Sequence, residues 1–232
     1  MEVNAGATHN KYTVFPERET EVGGQLHMET KSLRKSNVVM MTELALLTAI
    51  VILMAYTPLG YLKVGAVSIT FIVVPVAVGA VLLGVKAGAF LGLVFGLTSL
   101  AQCFGMDAFG TMIFNAKPVA TAVCCIVPRI LVGVVPALVF MGMSKVCKKR
   151  PVNIAVSCVL APITNTLLYL AFMTIFFQDY MIEAYGYAGK AGIFFLGWLL
   201  ALVAINAILE AASSLIIGSA ICNALWNITH KE

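Results

Sequence analysis

Charge is what this sequence has least of. Only 11% of its 232 residues are Asp, Glu, Lys or Arg, whereas 60% are hydrophobic and the mean hydropathy is +0.95. That balance excludes an ordinary soluble domain. Histidine is nearly missing as well: His9, His27 and His230 all lie in the polar ends, which leaves none in the apolar region for metal or acid–base chemistry. The six cysteines, Cys103, Cys124, Cys125, Cys147, Cys158 and Cys222, form no C-x-x-C pair. Most lie in apolar runs, where cysteine acts as a small hydrophobe rather than a metal ligand or disulfide partner. No Ser/His/Asp or metal constellation is present, so neither an enzyme active site nor a bound cofactor is expected. The stretch Gly79–Lys86 superficially resembles a phosphate loop but lacks the Gly-Lys-Ser/Thr ending and lies in an apolar run. With no other nucleotide motif, the chain has no visible means of hydrolysing ATP. The net charge of +4 comes from basic residues clustered at loop ends, a topology signal and not a nucleic-acid footprint.

What the sequence does have is apolar blocks long enough to cross a bilayer as helices, which takes about 20 residues. In lipid every backbone group must be satisfied within the segment, so these blocks predict an all-α integral membrane protein. Six spans are expected, at about 40–58, 66–84, 86–103, 118–142, 152–177 and 191–226, the last being long enough to leave the membrane or bend near Gly218. Residues 1–37 read as a disordered polar cytoplasmic tail without the apolar core of a signal peptide, with Met28 as an alternative start, and residues 38–232 as the six-helix membrane domain. Residues 104–117 are too broken for a span and too apolar for a free loop, so they predict a loop or short helix folded over the bundle mouth. Lys and Arg set the orientation. With both termini cytoplasmic, the inner flanks carry Lys31, Arg34, Lys35, Lys86, Lys145, Lys148, Lys149, Arg150 and Lys231, and the outer loops only Lys63, Lys117 and Lys190. The outer loops are then 59–65, 104–117 and 178–190.

Within this apolar chain Arg129 and Glu210 stand out, each deep in a long hydrophobic stretch. A charge at the bilayer centre costs about 2.5–3.5 kcal/mol on insertion scales, so it faces the protein interior. Asn165 lies mid-span, and Asn206 shares a helix face with Glu210 four residues on. Two readings stand: a buried Arg129–Glu210 ion pair that fixes helix packing, or a solute site in which Arg129 neutralises an anionic group and the amides bind polar atoms. Gly84, Gly88, Gly92 and Gly96 form a four-residue ladder that lets a neighbouring backbone approach, either for bundle packing or as a sliding surface. Ala45 and Ala49 form A-x-x-x-A, by composition alone a weak sign of helix packing. The aromatics Phe104, Phe109, Phe114, Tyr180, Tyr185, Tyr187 and Trp198 gather at the outer ends, as an interfacial belt or a pocket cap; Phe104 and Phe109 are the best cap candidates, and Asn115 in the same loop is a further site candidate.

Taken together, Ala45-Leu46-Leu47-Thr48-Ala49, Thr57-Pro58-Leu59-Gly60-Tyr61, Ser68-Ile69-Thr70, Pro75–Ala80, Leu82–Gly92 and Phe95–Ser99 resemble the substrate-binding S component of energy-coupling factor (ECF) vitamin transporters. The resemblance covers about residues 40–226 and is sharpest over 43–100. It implies a subunit that binds a vitamin from outside, beneath the three outer loops. It also implies docking onto a membrane T component, which couples it to two cytoplasmic ATPases. On that resemblance Ala45 and Ala49 take the docking role. The nearest group includes pantothenate, folate and cobalamin binders, and a mid-membrane arginine favours pantothenate or another small carboxylate vitamin. A competing function is an autonomous secondary transporter with Glu210 as proton carrier, although the inverted repeats common in that class are not evident.

Overall fold

A computed structural model describes residues 38–58, 60–64, 67–185 and 207–229. The expected tail over 1–37 lies outside the described residues, as do Asn206, Tyr187, Lys190 and Trp198. The chain divides into two units, Met1–Thr42 and Glu43–Glu232. In the first, residues 38–42 are helical, and the Thr42 hydroxyl donates to the Val38 carbonyl at 2.9 Å.

Helix α1 covers Val38–Ala55. An antiparallel hairpin follows, β1 (Tyr61–Val64) and β2 (Val67–Thr70), with Tyr61 opposite Thr70. Then come α2 (Val73–Leu83), α3 (Val85–Gln102), α4 (Ala108–Ala116), α5 (Pro118–Val146) and α6 (Arg150–Tyr185). Helix α7 (207–213) runs through a π-helical turn, Ser214–Gly218, into α8 (Ser219–Thr229). Among the described residues, five helices are long and apolar enough to cross a membrane, and α2 is a shorter apolar helix.

Two expected boundaries are corrected. The second span does not fill 66–84: residues 67–70 form a strand and only the 11 residues of α2 are helical. Three of the four residues of Val67–Thr70 are β-branched, a composition that favours a strand, and the segment pairs with β1. Pro75 is tolerated in the first turn of α2, where its missing N–H has no intrahelical partner to lose. At a rise of 1.5 Å per residue α2 is about 16 Å long, roughly half a hydrocarbon core. The fifth span does not end near 177 but continues as helix to Tyr185, since no glycine or proline interrupts Gln178–Tyr185.

Glycines set the closest contact of the bundle, between α3 and α5. A Cβ on Gly88 would collide with the Gly133 carbonyl, and one on Gly133 with the Gly88 carbonyl. A Cβ on Gly92 would collide with the Arg129 carbonyl, and one on Gly96 would stand 3.0 Å from the Cys125 carbonyl oxygen. The two backbones therefore touch along three helical turns, the arrangement that small residues at four-residue spacing permit. Gly84 differs from the packing role expected of it. Its φ of 86° lies where L side chains rarely go, and a Cβ there would meet nothing within 4 Å, so it turns the chain between α2 and α3. Around this seam the core holds Val51, Ala55, Ile72, Val73, Val76, Leu91, Phe95, Val132 and Ala161.

Candidate functional site

The site begins with a proline. Pro128 inside α5 has no N–H to give the carbonyl four residues back, which is that of Cys124. In an apolar helix that orphaned oxygen must find another donor. Arg129, the next residue, curls back and donates Nη1 to the Cys124 carbonyl at 2.9 Å. The same logic recurs on α6. Pro162 frees the carbonyl of Cys158, which accepts from the Ser214 hydroxyl at 2.6 Å, at the start of the π-helical turn.

Held this way, the Arg129 guanidinium lies against two aromatic rings, Tyr169 of α6 at 5.0 Å and Phe95 of α3 at 5.6 Å from ring centroid. Contacts of this kind are worth about 0.5–2 kcal/mol and rise as water is removed. They keep a cation in an apolar bundle without neutralising it. Among the described residues, Arg129 Nε is buried with no hydrogen-bond partner. Asn165, one turn from Tyr169 on the same face of α6, is 8% exposed, and its Oδ1 is likewise buried without a partner. Buried polar atoms in a native fold find partners, so the unmatched Arg129 donor suits an anionic group and the unmatched Asn165 acceptor suits a hydrogen-bond donor.

Glu210 lies elsewhere. It is 2% exposed, and its Oε1 accepts from the Thr70 backbone N–H at 2.8 Å. Arg129 and Glu210 each have a described partner of their own, the Cys124 carbonyl and the Thr70 N–H.

The end of the bundle that carries α4 is tied by backbone-directed bonds. Gln102 Nε2 donates to the Ala55 carbonyl at 2.5 Å, joining α3 to α1. Lys117 Nζ donates to the Phe176 carbonyl at 3.0 Å, joining the start of α5 to α6. Helix α4 is capped by the Asp107 carboxylate, which accepts from Gly110 N at 2.7 Å, and is joined to α5 by the Thr121 hydroxyl on the Ile113 carbonyl at 3.0 Å. Its inward residues are Gly110 and Ile113. Phe109 and Tyr169 both pack against the cluster of Ile113, Cys124, Leu170, Met173 and Phe177. Phe104 and Asn115 are both exposed, the Phe104 ring lying tilted against Phe114 with ring centroids 4.7 Å apart. The inward face of α4, set by residues 110 and 113, turns position 115 outward.

On α1 the two alanines are exposed, together with Leu46, Ile50 and Leu53, while Leu47, Val51 and Ala55 face the core. Phe95, Tyr169 and Thr70 are site residues that sequence reasoning missed. Tyr169 had a usable signal, being four residues from Asn165. The freed Cys124 carbonyl had one too, four residues before Pro128. Phe95 and Thr70 had none, because nothing local marks a ring or an N–H that meets a residue far along the chain.

A family model described as ECF transporter, substrate-specific component, matches residues 39–227. A pantothenate transporter, PanT, of Leuconostoc mesenteroides is 31% identical over 191 residues, covering 79% of this chain and 90% of its own length. A pantothenic acid transporter, also PanT, of Lactococcus lactis is 29% identical over 165 residues, covering 67% of this chain and 76% of its own.

Proposed function

This chain belongs to the family of ECF transporter substrate-specific components, and from that premise we propose that it is the pantothenate-binding subunit of an ECF-type importer. It is a multi-pass bacterial membrane protein and a transport protein, not an enzyme. The reading gives it six crossings, with α2 as the short one, and cytoplasmic ends. The basic run Lys145, Lys148, Lys149 and Arg150 between α5 and α6 supports that orientation.

The observation that carries the substrate is Arg129. Its guanidinium is fixed by the Cys124 carbonyl and flanked by Tyr169 and Phe95, yet its Nε remains unmatched. A carboxylate presented there gains a charge-assisted hydrogen bond in a water-poor site. Pantothenate also carries an amide and two hydroxyls, and Asn165 Oδ1 accepts from one of them. Phe109 closes the site from α4, and Asn206, outside the described residues, lies one turn before Glu210 in sequence. Two relatives named as pantothenate transporters support this choice among the carboxylate vitamins.

The chain does not drive transport itself. Ala45 and Ala49, on the exposed face of α1, dock onto a membrane T component, and through it two cytoplasmic ATPases supply the energy. The test of substrate is direct. Small molecules carried by the purified protein are identified by mass spectrometry, and ligand-free protein is titrated with pantothenate. The reading expects saturable one-to-one binding. A different vitamin in the spectrum together with no pantothenate binding would overturn it.

A further inference from the structure

We propose that Glu210 is a positioning residue: its carboxylate pins the β1–β2 hairpin to the last membrane helix and thereby holds one wall of the Arg129 site. Helix α2 has only 11 residues. A helix of about 16 Å crosses only part of a bilayer, so the strand that leads into it enters the apolar region as non-helical backbone. Such backbone is tolerated there only where protein satisfies its polar groups. The Thr70 N–H, at the end of β2 and before the first turn of α2, is such a group. Its acceptor comes from 140 residues away, Glu210 Oε1 at 2.8 Å. Glu210 is 2% exposed, so its carboxylate was taken out of water to make this contact. The N-terminus of α2, three residues after Thr70, presents the positive end of a helix dipole, which offsets part of that cost.

The contact bears on the site through three steps. Phe71 N donates to the Gly60 carbonyl at 3.0 Å, which closes the base of the hairpin next to Thr70. Ile72 and Val73 follow, 0% and 1% exposed, in the same core cluster as Phe95 and Val132. The Phe95 ring then lies 5.6 Å from the Arg129 guanidinium. Releasing Thr70 from Glu210 therefore loosens the residues that back one of the two rings facing the cation.

The experiment uses the full chain in lipid nanodiscs. Hydrogen exchange is measured over residues 60–72 without vitamin, and pantothenate dissociation is measured separately; only the second arm rests on the function proposed above. Glu210→Ala removes the acceptor and is expected to speed hairpin exchange about tenfold, while leaving the α3–α5 seam unchanged. Glu210→Gln keeps an oxygen facing Thr70 and is expected to stay within about twofold of the parent. Pantothenate leaves Glu210→Ala about tenfold faster and leaves Glu210→Gln near the parent rate. Thr70→Pro removes the donor instead, guards against misfolding of the alanine variant, and is expected to give the same hairpin exchange. Combined with Glu210→Ala it should add nothing to hairpin exchange, because each variant already lacks the Thr70–Glu210 bond. Unchanged exchange in Glu210→Ala overturns the proposal whether or not pantothenate binds. So does a glutamine variant as fast as the alanine one, which would mean that charge rather than the bond to Thr70 matters.

Discussion

Arg129 illustrates how a membrane protein can keep a cation with no paired anion among the described residues. The proline before it frees a carbonyl, the arginine takes that carbonyl, and two rings accept the positive face. Each contact is modest, yet together they fix the guanidinium and leave a donor for a guest. Arg129→Met is expected to weaken pantothenate binding by roughly 10- to 100-fold, the loss of one charged hydrogen bond, measured by titration calorimetry. Binding of panthenol, the alcohol analogue without the carboxylate, should change far less. Equal losses for both ligands would place Arg129 in the scaffold and not against the carboxylate. Arg129→Lys keeps the charge but loses the planar fork, so it should recover only part of the affinity. The candidacy of Arg129 was legible in the sequence because a lone charge in an apolar run is costly wherever it falls. Its partner was not legible. Glu210 was the only acidic residue as deep in an apolar run, but proximity in three dimensions depends on helix register, and Glu210 serves Thr70 instead.

At the level of elements, the long helices were readable from hydropathy, and the short ones were not. α3 and α5 lie close to their expected bounds because glycine spacing and flanking polar residues mark them. α2 was overestimated because its apolar run continues into a strand, and a run of Val and Ile reads alike in both states. α6 runs past its expected end because polar residues alone do not stop a helix, and neither glycine nor proline occurs over Gln178–Tyr185. The α3–α5 seam gives a sharp prediction. Gly88→Ala and Gly133→Ala each place a methyl against the other helix's backbone, which cannot rotate away. Each should cost about 1–3 kcal/mol, outweighing the helix-propensity gain, and should lower the melting temperature. Gly142→Ala on the same helix has open space and should be neutral or stabilising. A second prediction concerns the proline. Pro128→Ala restores an N–H for the Cys124 carbonyl, so it should recover stability lost in Arg129→Met without recovering affinity, as read by thermal unfolding and titration of the double variant.

The whole molecule has a polar site among α3, α5 and α6 and an exposed small-residue face on α1. The two do not share residues, so binding and docking should separate by mutation. Ala49→Trp fills the α1 face and is expected to abolish uptake in cells supplying the T component and ATPases, while pantothenate binding by the purified variant stays within about twofold of the parent. Uptake that survives would remove α1 from the docking role. The central claim, that this chain binds while other subunits do the work, is tested most directly in proteoliposomes. Labelled pantothenate is offered to the protein alone under an imposed pH gradient, and to the protein with T component, ATPases and ATP. The account predicts bound vitamin but no accumulation in the first case and ATP-dependent accumulation in the second. Accumulation by the chain alone, driven by the gradient and lost in Glu210→Gln, would contradict it.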